Sequence, residues 1–343
     1  MSTRLHHTML AGLLFLASLL NAQDSLADNM LLYQRSVGGW PKHIGEVKID
    51  YSKAISDNER AGLLDDKGRN DATIDNGAST KEIRYLLKAF IRHGNKAYID
   101  AAETGVRYLL AMQYANGGFP QFWPDTSGYR KQITYNDNAM VNALNVLWDV
   151  SQRQNGFELM DPRLVAPAQK AVDRGIACIL KTQVRVNGQL TVWCAQHDKY
   201  TLAPVKARAF ELVSLSGSES VGIVEFLMKQ EKPSAEVRTA IESAVAWLQR
   251  SRIDGYSYGD VPAPGSPKGF DRLPQPDSGA VIWARFYDID SNRPFFSGRD
   301  GVKKWEVTQI EYERRTGYGW YGTWPKELLG KKYPEWKKRN AKP

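Results

Sequence analysis

Two short segments, Thr73-Ile74-Asp75-Asn76 and Tyr135-Asn136-Asp137-Asn138, carry the residues best suited to chemistry. Each sets a carboxylate beside amides just ahead of a strongly helical stretch. Asp and Asn oxygens are hard donors that suit calcium. Carboxylates also fix sugar hydroxyls or act as acid and base. The plainer reading is helix capping, because an Asp at a helix start satisfies free N–H groups and suits the helix dipole. Position alone leaves both readings open. Farther on, Ala203-Pro204-Val205-Lys206-Ala207-Arg208-Ala209-Phe210-Glu211 gathers cations where Pro204 forbids a long helix. Lys206 and Arg208 are two residues apart, so on an extended stretch they point the same way and imply an anionic partner. A solvated surface loop is the alternative. Carboxylates facing cations form a layout for an acidic sugar polymer.

Other candidates are less specific. His197 lies in Trp193-Cys194-Ala195-Gln196-His197-Asp198; it is a candidate base, although a lone His between Gln and Asp is more often structural. Arg285 sits in Ile282-Trp283-Ala284-Arg285-Phe286-Tyr287, and a charge among such neighbours is costly unless paired. Arg299 follows in Phe295-Phe296-Ser297-Gly298-Arg299-Asp300. Either arginine can serve a structural carboxylate or bind a uronate bidentately. The aromatic loops Gly118-Phe119-Pro120-Gln121-Phe122-Trp123 and Tyr318-Gly319-Trp320-Tyr321-Gly322-Thr323-Trp324 offer stacking faces for sugar rings or simply pack.

An internal repeat positions these residues. Leu109-Leu110-Ala111-Met112-Gln113 leads into Asn116-Gly117-Gly118-Phe119, and Ile179-Leu180-Lys181-Thr182-Gln183 leads into Asn187-Gly188-Gln189-Leu190. Trp247-Leu248-Gln249-Arg250-Ser251-Arg252 leads into Asp254-Gly255-Tyr256. Placing Gln113, Gln183 and Arg252 in register gives steps of 70 and 69 residues. Each repeat holds two helical patterns. Thr80–His93, with Ile83, Leu86, Leu87, Phe90 and Ile91 on one stripe and Gly94 as a stop, pairs with about 96–114. Residues 138–151 pair with 164–183, and 218–229 pair with 234–251, where Ser234 is the expected N-cap. These hairpins predict an all-α fold, an (α/α)3 toroid of three helical hairpins with long irregular loops, against an open solenoid of shorter period. After residue 252, five prolines between 262 and 276 mark an irregular segment, and a short helix or turn is expected over 280–287.

Composition bounds the setting. Arg4, His6 and His7 precede an apolar run from Leu10 to Leu20, followed by small residues with Ala22 or Ala27 as cleavage points. Residues 1–27 therefore read as a secretory signal peptide, leaving residues 28–343 as one catalytic domain. The predicted location is secreted or periplasmic. No other run suits a bilayer. The chain carries a net charge of +8, which favours an anionic partner. No long Lys/Arg run or zinc-finger spacing points to nucleic acid. The two cysteines, Cys178 and Cys194, fit either a disulfide in an oxidising compartment or two buried thiols.

In order along the chain, Gly38-Gly39-Trp40-Pro41-Lys42, Ala72-Thr73-Ile74-Asp75-Asn76-Gly77-Ala78, Asn116-Gly117-Gly118-Phe119-Pro120-Gln121, Tyr135-Asn136-Asp137-Asn138-Ala139-Met140, the 193–198 segment, Lys206-Ala207-Arg208-Ala209 with Glu211, and Gly298-Arg299-Asp300 resemble the pectate lyases of polysaccharide lyase family 10. The resemblance implies the same toroid and calcium-dependent β-elimination on polygalacturonate, demethylated pectin, by a monomer. It implies Asp137 as the Ca2+ ligand, Arg208 as the Brønsted base and Asp75 as an essential aspartate at the cleavage subsites. Asn76, Lys206, Arg285 and Arg299 are implied as substrate-binding residues. Because arginine is ordinarily always protonated, this reading expects burial and neighbouring cations such as Lys206 and Arg285 to lower the Arg208 pKa, and an alkaline optimum. Two other readings compete: a toroidal glycoside hydrolase using Asp75 and Asp137 as a carboxylate pair, and a non-catalytic protein that binds acidic polysaccharides.

Overall fold

The computed structural model of the protein describes residues 24–340. The expected leader thus lies outside the described residues except for 24–27. There, Asp24 caps the helix Ser25–Tyr33 by accepting from the Ala27 N–H at 3.1 Å.

The helical pairs form as the apolar spacing dictates. They are Thr80–His93 with Lys96–Met112, Ala139–Ser151 with Val165–Thr182, and Glu219–Leu227 with Ala235–Arg250. No end lies more than two residues from the expected span. Gly94, at φ 68°, ends the first helix by donating to Phe90 O, a left-handed stop that glycine adopts without steric cost. Ser234 caps the last by accepting from the Val237 N–H.

The chain is not all-α, and the expected toroid does not describe it. Ile253–Pro262, of 10 residues, pairs antiparallel with Phe270–Ala284, of 15 residues. Tyr321–Gly322 adds a third strand at Trp283 and Ala284, and several two-stranded pairs occur elsewhere. The prolines predict an irregular segment here, yet Pro274 lies opposite Tyr258 and Pro276 opposite Tyr256 within the ladder. The third strand reaches only residues 283 and 284, so 274 and 276 lie on an edge of the sheet, where proline is tolerated. The segment 280–287, expected as a short helix or turn, is strand as well: Phe286–Tyr287 pairs with Leu215–Ser216.

By its contacts the chain divides into two compact units. Of the described residues, one comprises those up to 113 with 122–125 and 142–172; the other comprises 114–121, 126–141 and those from 173 onward. In the first, Ile83, Leu86 and Leu87 are buried, as are Tyr98, Ala102, Val106 and Leu109. Gly105 lets the two helices close, because a Cβ there would lie 2.5 Å from Ile83 and 2.8 Å from Trp40. The stripe runs out at its end, where Ile91 is exposed. In the second unit a cluster of Phe286, Phe295, Phe296, Val307, Ile310 and Trp320 is buried.

The repeat has a physical basis in glutamine side chains that tie one helix end to the next pair. Gln113 donates from Nε2 to Ala171 O at 2.8 Å, and Gln183 donates to Ala240 O at 2.9 Å and Thr191 O at 2.8 Å. Gln34, earlier in the chain, does the same to Ala101 O at 2.9 Å. Each of these hydrogen bonds contributes about 0.5–1.5 kcal/mol, and of the three side chains Gln183 alone is buried. Arg252 does not belong to this series, since its guanidinium pairs with Asp254.

Candidate active site

In the second unit the turn Asn136–Asn138 projects Asp137. The turn is held from behind: the Tyr135 and Asn136 N–H groups both donate to Ala195 O, at 2.8 and 3.0 Å, and Ile133–Thr134 pairs with Gln196–His197. The segment around His197 is thus a buried support. His197 is fully buried, bonds Leu202 O through Nδ1 at 2.9 Å, and burial lowers its pKa to about 4. It is a neutral structural ring.

Asp137 has φ 52° and Asn138 φ 58°, a left-handed backbone that Asp and Asn tolerate better than other side chains. The Asp137 carboxylate is about a third exposed, 35 %, accepts from Asn136 Nδ2 at 2.7 Å, and meets Arg285 Nη2 at 3.2 Å. Arg285 is nearly buried, with 11 % of its side chain exposed, and Nη2 also bonds the buried Glu219, which accepts from the Ser216 hydroxyl as well. The Tyr318 ring lies 4.8 Å beneath the Arg285 guanidinium. Burial opposes the Arg285 charge, but Glu219, Tyr318 and Asp137 outweigh it and the pKa is raised.

Arg208 stands at a turn closed by the Ala207 N–H to Glu211 O. Lys206 is exposed. Arg208 instead clasps Glu211 bidentately, through Nε at 2.8 Å and Nη2 at 2.5 Å. The bonds to Glu211 hold its pKa above the ordinary guanidinium value, opposite to the lowering expected from Lys206 and Arg285. The Tyr318 hydroxyl donates to the same Glu211 at 3.3 Å, so Tyr318 links the Arg208 and Arg285 pairs. Arg299 is exposed and pairs with Glu313 at 3.1 Å.

In the first unit Asp75 is buried and ion-paired with Lys42. Its carboxylate also accepts from Asn76 Nδ2 at 3.4 Å, and its N–H donates to the Thr73 hydroxyl at 3.0 Å. Asn76 is exposed and left-handed, with φ 51°. The two turns are therefore alike, but offset from the apparent match. Asp75 corresponds to Asn136 as the buried first residue, and Asn76 to Asp137 as the left-handed middle one.

A family model for pectic acid lyase matches residues 34–329. The chain belongs to the pectic acid lyase family. Family 10 polysaccharide lyase from Cellvibrio cellulosa is similar in structure, at 37 % identity and TM-score 0.78, covering 92 % of this chain and 93 % of that one. An aspartate-to-alanine mutant of that lyase in complex with trigalacturonic acid aligns with TM-score 0.79 at 37 % identity, covering 92 % and 94 %. No match was found among curated proteins. This pectic acid lyase is accordingly an enzyme that acts on a polysaccharide by elimination.

Sequence reasoning missed Lys42, Glu219 and Tyr318 as parts of these sites, and named Glu211 only as part of a motif. Glu219 opens a helix and Tyr318 lies in an aromatic loop, so neither position signals a buried ion network. For calcium, Asp137 offers a partly open carboxylate, and the neighbouring buried Asn136 Oδ1 has no hydrogen-bond partner. Among the described residues no group of three His, Cys, Asp or Glu could hold a metal. This donor set fits a Ca2+ that takes most of its six to eight oxygens from elsewhere. Both cysteines are buried and free, and burial pushes the Cys178 thiol up to about 12. Among the described residues no helix is long and apolar enough to cross a membrane.

Proposed function

We propose that this lyase cleaves polygalacturonate by calcium-dependent β-elimination, with Arg208 as the Brønsted base, and releases 4,5-unsaturated oligogalacturonides. The observation that carries the reading is the grouping of Asp137, Arg285 and Arg208 through Glu219, Tyr318 and Glu211 in a chain of the pectic acid lyase family. The trigalacturonic acid held by the Cellvibrio relative supports a galacturonate substrate. Each aspartate is already committed to a cation, Asp75 to Lys42 and Asp137 to Arg285, an arrangement that fits anion handling better than a hydrolytic carboxylate pair.

Arg285, Lys206, Arg299 and Asn76 bind uronate carboxylates and hydroxyls, and Asp75 orients its stretch of the sugar chain. Asp137, with Asn136 beside it, would hold Ca2+. Bound there, it would withdraw charge from a substrate carboxylate and make the C5 hydrogen more acidic. Arg285 stabilises the negative charge that develops on that carboxylate. Unprotonated Arg208 takes the C5 proton. The C–H electron pair forms the C4–C5 double bond, the C4–O4 bond breaks, and the departing oxygen takes a proton from water. The Arg208–Glu211 bond opposes loss of the Arg208 proton, so the optimum is alkaline. An ultraviolet assay on polygalacturonate across pH, with and without chelator, tests this. Saturated products contradict elimination; full activity in chelator contradicts the calcium role; absence of products supports the binding-protein reading.

The mature enzyme is secreted or periplasmic and acts as a monomer, which its elution volume in gel filtration checks. Asp24 bonds the Tyr85 hydroxyl at 3.1 Å and Arg92 at 3.0 Å. Those contacts favour cleavage after Ala22 over cleavage after Ala27, which the N-terminal mass of the exported protein decides.

A further inference from the structure

Glu211 is the group pressed most closely against Arg208. Its carboxylate is buried, with 2 % of the residue exposed. It accepts from the Arg208 N–H at 3.2 Å, from Nε at 2.8 Å, from Nη2 at 2.5 Å and from the Tyr318 hydroxyl at 3.3 Å. The fork engages Nε and Nη2, leaving Nη1 as the nitrogen without a hydrogen-bond partner among the described residues, on a side chain that is 43 % exposed. The Phe210 ring closes one side of the guanidinium at 4.8 Å, and Arg314 lies 4.6 Å from that ring. The other titratable groups acting on Arg208 are Tyr318 and Tyr129. Burial pushes the Tyr318 hydroxyl up, so it is a neutral donor, and Glu211 is the one carboxylate in this set.

We propose that Glu211 is a positioning residue that aims Nη1 of Arg208 at the substrate and sets the pH at which the guanidine can act. The proposal rests on the reading of Arg208 as base. The proton balance is closed: solvent hydroxide removes a proton from Nη1, the C5 proton replaces it, and Glu211 exchanges none. The two effects of Glu211 oppose each other. Its fork fixes geometry, which favours reaction, while its charge favours the protonated guanidinium, which opposes it.

Glu211→Gln separates them. The amide keeps the approximate shape and removes the charge, and its oxygen still accepts one N–H of the fork. The acidic limb of the kcat–pH profile should move down by about one unit, a tenfold change in the unprotonated fraction below the limb. Glu211→Asp keeps the charge but loses reach, so its limb should stay in place while kcat falls, on the order of tenfold or more. A Glu211→Gln enzyme with lower kcat at every pH and an unmoved limb overturns the proposal. If that variant fails to fold, Glu211→Asp decides: a limb that moves overturns the proposal and one that stays supports it. Arg208→Ala distinguishes the two levels. Retained activity there sinks the base assignment and this proposal together, whereas an inactive Arg208→Ala with an unmoved Glu211→Gln limb sinks this proposal alone.

Discussion

Replacing Arg285 by methionine tests whether the buried ion pair behind Asp137 holds the site together or merely decorates it. The Arg285 and Glu219 side chains are 11 % and 1 % exposed, so solvent screens this pair little. Removing Arg285 strands Glu219 in the interior with the Ser216 hydroxyl for company. Breaking a buried pair from one side costs about 3–5 kcal/mol, because the remaining charge is uncompensated. The Tyr318 ring beneath the guanidinium loses a cation contact worth about 0.5–2 kcal/mol, partly offset by the methionine that packs there. Arg285→Met alone should therefore lose about 3–5 kcal/mol in urea unfolding followed by circular dichroism. The double variant Glu219→Gln/Arg285→Met removes both charges and should recover most of that loss. Trigalacturonate binding should be weak in both, since the guanidinium is absent in each. If the single variant loses less than about 1 kcal/mol, or the double is as unstable as the single, the buried-charge reasoning is wrong.

His197, Gly222 and Arg299 give three further tests. Burial depresses the His197 pKa from 6.5 to about 4, so above pH 6.5 the ring is neutral whether folded or not. As pH falls from 6.5 towards 4 the unfolded chain gains a proton the folded one refuses, and stability drops by up to about 3 kcal/mol; His197→Asn should flatten that part of the stability–pH curve. A Cβ at Gly222 would lie 2.3 Å from Asn138 Oδ1, so Gly222→Ala should displace the Asp137 turn and cut kcat by roughly 100-fold with a stability loss of about 1–3 kcal/mol, and wild-type kinetics would refute the coupling. Arg299→Ala removes an exposed pair with Glu313, so the thermal midpoint should be unchanged while KM for polygalacturonate rises.

The helices were legible because a 3.6-residue apolar stripe has few competing explanations; Thr80–His93 was read to its ends, including the Gly94 stop. The long hairpin was not, because Pro274 and Pro276 read as breakers until the open edge beside them is known. Matching Gln113 to Gln183 was sound, since both donate to a carbonyl of a following helix, but Gln34 was missed and Arg252 does not share the role. The Asp-Asn motifs were found, with their alignment off by one: backbone handedness equates Asp137 with Asn76, and handedness is not written in residue type. The cations were recognised, but their carboxylate partners were not. Glu211 is three residues from Arg208, yet Glu219 is 66 residues from Arg285, and only the fold brings that pair together.

Those partners explain how the two arginines can be preorganised without being left as free cations. An unpartnered arginine has long, flexible reach, and fixing it costs entropy at the moment of binding. Arg208 and Arg285 are each fixed beforehand by a buried glutamate, with Tyr318 touching both arrangements. The glutamates neutralise part of the positive charge, which weakens long-range attraction for a uronate. On the proposed function they also orient each guanidinium so that the part left open meets the substrate in one geometry. Affinity for isolated galacturonate should therefore be low, and rate should depend more on orientation than on net charge. Ionic strength separates the two contributions: screening reduces the attraction of exposed Lys206 and Arg299 within a Debye length of about 8 Å at physiological salt, but leaves the buried Arg285–Glu219 pair nearly untouched. Raising salt should increase KM for polygalacturonate with little change in kcat. A kcat that fell in step with rising salt would mean that open surface charge, not the buried carboxylates, positions the reacting groups.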